Sequence, residues 1–515
     1  MRSLALCVFV LFLLGSACTV ADGDGDGAGD AGAAALAEAP RDRTTPPAAP
    51  DPATPDPATP AAGTTEPADR APSDEPSTSR AEDPPPPPSY PQHGVSFHFL
   101  AHVYAEPSLD SPTVGHMRRG ATFRATEPVE GTDCDGGWHG VPGGGFVCRG
   151  RGYLLGSEPR SFTPSPVAPG LEEPLPYAYR RVVRDDTPQY WRLPSPEEEA
   201  RFDAWLASDE ASADTDGGVA TAEPGAPDVP DAGAVDGGGD GRPDFVRLVM
   251  RRGFYVSVDR EEETEDGRRF VRTVRGTYVP AKALTPVAAN PSPGVRLGGH
   301  RALPLALVYR RAPTRWRIAP ESGALVRDGR FDHLEAFPVR RRTDLRGRAF
   351  VVASDGSLAR DSVVRVARER DRPRGVPEDG RWIHVRLSEQ TLVAYEGDRP
   401  VYATIVSTGR RGFETPEGLY WIGGKHVTTT MDDLASEDPF LIEDVPWAMF
   451  FEGSYALHGA FWHEGFGRVR SHGCINLAPA DAQWLFRWTT PRLPPAWHGV
   501  MTRAGRERTH ILVEP

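Results

Sequence analysis

The chain has 515 residues, 54 of them Gly and 53 Pro, and a formal net charge of −14. That is too long for one hydrophobic core, and the Gly and Pro crowd into a few tracts, so part of the chain reads as linker between smaller folded modules. Acidic residues concentrate in those linkers while Arg dominates from Arg242 onward, a distribution that does not indicate a nucleic-acid-binding protein; the Arg-rich half suits an anionic polymer or simply a solvated basic surface.

The first 18 residues read as an export signal. Arg2 precedes an apolar run over 4–14, too short to span a bilayer, and then come the small residues Gly15, Ser16 and Ala17. The string Leu14-Gly15-Ser16-Ala17-Cys18 resembles a bacterial lipobox, with Gly15 where Leu is usual. The resemblance implies lipidation of Cys18 and anchoring to a membrane; ordinary cleavage near Ala17 or Ala21 is the alternative.

Export gives the cysteines meaning. Cys7 leaves with the signal, and Cys18 is removed or acylated. Cys134 and Cys148 lie close together in one small expected domain, so an oxidising compartment should join them, a gain of about 3 kcal/mol for so short a loop. Cys474 is left alone. An unpaired thiol there is either a nucleophile or a cysteine buried beyond reach of oxidant.

Residues 19–91 are rich in Asp, Gly, Ala, Pro and Thr, with a direct repeat over 51–60 and a proline run over 84–88. Ordering them would cost about 1 to 2 kcal/mol per residue in backbone entropy with little apolar burial in return, so they are expected to form a disordered tether.

The fold class expected for the remainder is mainly β and multidomain. In 92–156, short β-prone runs alternate with Gly, Pro and Asp turns. The strings V-Y-A-E-P-S-L-D-S-P-T-V-G, G-W-H-G-V and G-G-F-V-C resemble bacterial SH3-like domains, which implies a small β-barrel that binds wall peptides or acts as a spacer. Residues 157–208 read as a connector with one short helix: Ser195 can cap it, Pro196 suits its first turn, Glu198 completes a capping box, and Phe202, Trp205 and Leu206 share a face. Residues 209–243 form a second linker. Residues 244–370 are β-rich without a catalytic constellation, and G-T-Y-V-P-A-K-A-L over 276–284 is similar to the closing strand of a second SH3-like unit.

A β-meander opens the last segment, 381–505. Ile383, Val385 and Leu387 alternate, Leu392 to Tyr395 follow, and Glu396-Gly397-Asp398-Arg399 makes a turn. Far along it stands A-L-H-G-A-F-W-H-E-G-F-G-R-V-R-S-H-G-C-I-N-L, which combines a thiol with several imidazoles and glycines. V-S-T-G over 406–409, T-P-E-G over 415–418, His458-Gly459 and S-H-G-C-I-N over 471–476 together resemble the L,D-transpeptidase (YkuD-like) catalytic family. That resemblance implies a β-sandwich with a few short helices and acyl transfer on peptidoglycan stem peptides. Carried over by position, Cys474 would be the nucleophile and His458 its base, with the Gly459 carbonyl orienting the ring. Ser471, His472, Gly473 and Asn476 would support them.

The residues alone leave a rival. His472 lies two positions from Cys474 and would share its face on an extended segment, which makes it a second candidate base. Backbone N–H groups around Gly473 and Cys474 are candidate oxyanion donors. Asn476 stands where many relatives carry Arg, which bears on substrate contacts. His463 reads as peripheral, and Phe450, Phe451, Tyr455, Phe461 and Trp462 as core or groove. A zinc site from His458, His463, His472 and Cys474 has the right ligand types but matches no metal spacing, so neither metal nor other cofactor is expected.

The expected partners are peptidoglycan stem peptides and, through Cys18, a membrane; no nucleic acid is expected, nothing marks an oligomeric state, and the expected location is the periplasm or cell envelope. An L,D-carboxypeptidase using the same residues, an inactive wall-binding lipoprotein and a metallopeptidase are the competing readings.

Overall fold

The computed structural model describes residues 89–208 and 241–515, apart from 293, 300, 435, 437 and 438. The expected export signal with Cys18, nearly all of the tether and most of the second linker lie outside the described residues. Within them the chain is mainly β, with two α-helices, Pro196–Leu206 and Pro479–Trp488. No helix among them is long and apolar enough to cross a membrane.

Residues 381–514 contribute two sheets that face each other across one core. In the first, Arg381–Arg386, Thr391–Glu396 and Arg399–Ile405 form the antiparallel meander, its tight turn made possible by Gly397 at φ 58°. His510–Glu514 pairs in parallel with the first of these strands and Gly418–Trp421 pairs beyond it. The second sheet runs through Gly499–Met501, Gly424–Asp433, Phe440–Glu452, Tyr455–Gly459 and Ile475–Leu477.

Period-2 alternation explains the core. Ile383 and Val385, then Leu392 and Ala394, point inward onto Val427, Met449, Leu457, Ile475 and Leu477. Ala482, Leu485 and Phe486 of the Pro479–Trp488 helix complete it, the face expected for that helix. Lys425 is fully buried under the helix end, where its Nζ donates to the carbonyls of Phe486 (2.5 Å) and Thr489 (3.0 Å). An N–H donor suits that position because the last carbonyls of a helix lack intrahelical partners, although burial lowers the Lys425 pKa to about 7.

Three β-rich stretches precede these sheets. In 92–156, Gln92–Ser96 pairs with Thr122–Ala125 and Tyr153–Gly156, and Leu100–Tyr104 pairs with Thr113–Arg118. Cys134 and Cys148 form a disulfide with Cα atoms 5.8 Å apart. The SH3-like barrel expected here is not seen: the strands form no closed barrel among the described residues. One reason is visible at the edge, where Gly115 and His116 pair with Val500 and Gly499 of the second sheet, and where Trp497 and Val500 join the local core. Those contacts tie the Thr113–Arg118 edge to the second sheet, while Gln92–Ser96 already has a partner on each side.

The stretch read as a connector supplies strands of its own. Ala178–Val182 pairs with Tyr255–Glu263 and Leu284–Val287, and Thr187–Tyr190 with Val246–Met250. The helix has the capping box read from the sequence, the Ser195 hydroxyl accepting from the Glu198 N–H while Glu198 accepts from the Ser195 N–H. Phe202 is buried against Tyr190, Phe245 and Phe270. Residues 305–367 form a separate seven-stranded sheet, from Leu305–Val308 to Val364–Ala367.

Asp444 ties these parts together. Its carboxylate accepts from Arg118 (2.6 Å), Thr428 (2.8 Å) and Ser257 (2.5 Å), and its carbonyl accepts from the Tyr179 hydroxyl (2.5 Å). Desolvation pushes this buried carboxyl up, yet the Arg118 and Arg275 guanidiniums and its hydrogen bonds hold it below the ordinary range.

Candidate active site

Of the two reacting groups named from the sequence, His458 stands on Tyr455–Gly459 and Cys474 sits in a bend one residue before its parallel neighbour, Ile475–Leu477. His458 lies opposite Asn476, and Leu457 opposite Ile475. Facing residues of a ladder share a face, and so do residues two apart. Continuing this register by one step sets Cys474 against Ala456, on the face that carries His458 and Asn476. A backbone hydrogen bond between Ala456 and the Cys474 thiol agrees with that placement.

His458 is 2% exposed. Its Nδ1 lies 3.3 Å from the Gly459 carbonyl, and its ring stacks on Trp462 with centroids 5.7 Å apart. A proton on Nδ1 donated to that carbonyl leaves Nε2 with a lone pair, the form a base requires. Burial lowers the His458 pKa to about 4, offset in part by the Gly459 carbonyl. Burial raises that of Cys474, offset in part by Ala456. The thiol is half-buried and donates weakly to the Ser454 carbonyl, 3.7 Å away. Burial thus disfavours the charged form of both groups.

Ser471 shapes the turn before Cys474. Its hydroxyl donates to the Cys474 carbonyl (2.5 Å) and accepts from the Gly473 N–H (3.1 Å). The Gly473 amide is therefore committed inside the turn, which removes it from the pair of oxyanion donors expected from the sequence. Gly473 sits at φ 113°, and a Cβ there would lie 2.3 Å from Tyr455 Cε1, so only glycine fits. Its carbonyl accepts from Thr415 (2.7 Å), whose hydroxyl accepts in turn from the Gly409 N–H (2.9 Å). The V-S-T-G and T-P-E-G strings thus meet at this turn.

That φ also corrects the reading of His472. An extended backbone would have put it on the face of Cys474; the bend at Gly473 breaks that alternation. Its Nε2 instead accepts from Arg410, 2.7 Å away, and its ring packs between Phe413 and Phe440. The Nε2 lone pair is thereby taken up by the Arg410 guanidinium.

His463 is not peripheral. Its Nδ1 accepts from the Gly465 N–H (3.2 Å), and its Nε2 lies 2.9 Å from the Asn476 carboxamide. A neutral ring accepting at Nδ1 carries its proton on Nε2. That proton pairs with the amide when Asn476 presents Oδ1, the atom otherwise left buried without a partner. Burial, then Arg470 and His458, lower the His463 pKa to about 4. No short-range sequence pattern announced this contact, which spans a loop of thirteen residues.

Of the aromatic residues, Phe451 and Phe461 are buried, whereas Phe450, Tyr455 and Trp462 are half-buried, with Tyr455 over Gly473 and Trp462 on His458. Among the described residues, no group of three or more His, Cys, Asp or Glu side chains is arranged to hold a metal ion.

Comparison with known proteins bears on this segment. A Bacillus subtilis (strain 168) protein, provisionally named L,D-transpeptidase YciB, is 23% identical over 131 residues, which are 20% of this chain and 59% of that one. An L,D-transpeptidase structure from Stackebrandtia nassauensis is 23% identical and covers 27% of this chain and 58% of its own, with a TM-score of 0.20. One from Mycobacterium smegmatis is 16% identical and covers 43% of this chain and 90% of its own, with a TM-score of 0.22. The chain thus spans somewhat under two thirds of the first two relatives. Residues 380–497, which contain Cys474, His458, His463, His472 and Asn476, match the family model of the YkuD L,D-transpeptidase catalytic domain.

Proposed function

We propose that this protein is an exported, cysteine-dependent L,D-transpeptidase acting on peptidoglycan stem peptides. One observation carries the proposal: a buried imidazole with its Nδ1 against its neighbour's carbonyl lies on the strand paired with the one that a half-buried thiol immediately precedes, inside the family-matched segment.

In this reading Cys474 Sγ attacks the carbonyl of the third residue of a tetrapeptide stem. Its proton passes to His458 Nε2 as the C–S bond forms. In this reading, burial disfavours both charged forms, so transfer accompanies attack rather than preceding it. The Cys474 N–H faces the developing oxyanion, the Gly473 N–H being held by Ser471. The C–N bond then breaks, the imidazolium returns its proton to the departing D-Ala amine, and a thioester remains. An amine of a second stem attacks the thioester and gives its proton to His458. Breaking the C–S bond releases Sγ, which takes that proton back from His458, restoring the Cys474 thiol and leaving a new cross-link.

Export with lipidation at Cys18 would hold the enzyme at the cell envelope on its tether, with the 92–156 module, SH3-like by sequence, as spacer or wall-peptide binder.

The test is mass spectrometry of purified mature protein incubated with tetrapeptide-bearing muropeptides, beside Cys474→Ala. Cross-linked dimers that disappear in the variant are expected. Tripeptide products alone would make the protein an L,D-carboxypeptidase, and no Cys474-dependent product would overturn the proposal.

A further inference from the structure

Residues 288–292 and 294 lie between the Leu284–Val287 strand and the Val295–Arg296 strand, outside the family-matched segment 380–497. They run along the candidate catalytic unit and touch it at two places. At one, the Ser292 hydroxyl bonds Asp481, a fully buried carboxyl that also accepts from Tyr402 (3.0 Å) and Thr404 (2.5 Å). Beyond this anchor, Val295 and Arg296 pair with Ala403 and Tyr402. At the other, Asn290 Nδ2 donates to the carbonyls of Ala460 (2.8 Å) and His463 (2.6 Å).

The second contact reaches the loop that leaves His458. Both amide protons of Asn290 are used there, on carbonyls three residues apart that bracket Phe461 and Trp462. The loop is otherwise tied by the Ala460 N–H to the Leu477 carbonyl (2.8 Å) and by His463 to Asn476. Trp462 stacks on the His458 ring, so the position of this loop sets how that ring is covered and held.

We propose that Asn290 is a positioning residue for the Cys474–His458 pair, supplied by the segment that precedes the catalytic domain. The inference rests on the transpeptidase reading. Without Nδ2 the two carbonyls turn to water, the 460–463 loop gains freedom, and the imidazole loses the support of Trp462.

The experiment uses the full mature chain with Asn290→Ala, Asn290→Gln, Ser292→Ala and His458→Ala. Three quantities are measured: kcat and KM for muropeptide cross-linking, the melting temperature, and the rate at which iodoacetamide alkylates Cys474. Asn290→Ala is expected to lower kcat between about ten- and a hundred-fold, the cost of misplacing a reacting group, with KM and melting temperature near those of the parent. Asn290→Gln, with the same donors on a longer arm, should recover part of the loss. Ser292→Ala should lower the melting temperature and leave kcat unchanged. Alkylation in Asn290→Ala should move toward the His458→Ala rate.

A parental kcat and alkylation rate in Asn290→Ala would overturn the inference, as would a kcat that falls only with the melting temperature. If the parent makes no Cys474-dependent product, the transpeptidase reading fails instead, and the alkylation rates still decide whether Asn290 governs the pair.

Discussion

Burial drives both candidate reacting groups toward their neutral forms, the Cys474 thiol upward and the His458 imidazole down to about 4, and the turn before Cys474 is tightly constrained. Gly473 shows how tightly. At φ 113° an L side chain is strained, and its Cβ would also strike the Tyr455 ring at 2.3 Å. Gly473→Ala is expected to cost about 1 to 3 kcal/mol and to remove most activity. Pairing it with Tyr455→Ala relieves the clash but not the φ, so the double variant should recover only part of the stability in urea unfolding. Full recovery would show that the contact alone demands glycine. The candidate thiol and imidazole were named from the S-H-G-C-I-N and H-G strings. The roles of His472 and His463 were not, because each depends on a partner, Arg410 or Asn476, distant in sequence.

At the level of elements, Phe440–Glu452 does several jobs. It is central in the second sheet, it forms a hairpin with the strand bearing His458, and it holds Asp444 at φ 53° and Trp447 at φ 58°. These departures from strand geometry turn Asp444 toward Arg118, Ser257 and Thr428 and let the Trp447 indole donate to the Pro174 carbonyl (2.7 Å). Asp444→Asn keeps the shape but strands the Arg118 guanidinium in a buried site. It should destabilise by about 3 to 5 kcal/mol in urea unfolding, whereas Arg118→Met combined with Asp444→Asn should cost less than the two single changes added together. Additive costs would mean that the pair is not coupled. The meander of 381–405 and the Ser195 cap could be read in advance because alternation and capping act over a few residues. The strands at Ala178–Val182 and Thr187–Tyr190 could not, their partners lying far along the chain.

Across the whole molecule, acid is the weak point. Burial lowers His384, His426, His458 and His463 to about 4, and His116 and His498 well below their ordinary value. A lowered imidazole pKa means that the unfolded chain binds protons the folded chain refuses. Stability from these groups is complete above about pH 6.5 and is lost as pH falls from there toward 4. His116, His426 and His498 lie together where the 92–156 module meets the second sheet, with ring centroids of 5.1 Å and 5.7 Å from His116. That junction should therefore loosen first. Urea midpoints at pH 7, 5.5 and 4.5 should fall steadily, and a flat series would contradict the neutral assignment.

Local chemistry by itself determined much of this protein: strand alternation in 381–405, the capped helix after Ser195, the proximity of Cys134 to Cys148, and a thiol among imidazoles and glycines that resembles one catalytic family. Only the tertiary structure decided that the bend at Gly473 turns His472 to Arg410, that the Gly473 amide is already spent, that the strands of 92–156 pair with Gly499–Met501, and that Asn290 reaches the loop beyond His458. The physical reason is range. Propensity, alternation and caps act within a few residues, whereas Arg118 meets Asp444 across 326 positions and Asn290 meets Ala460 across 170, contacts that leave no pattern in the sequence near either partner.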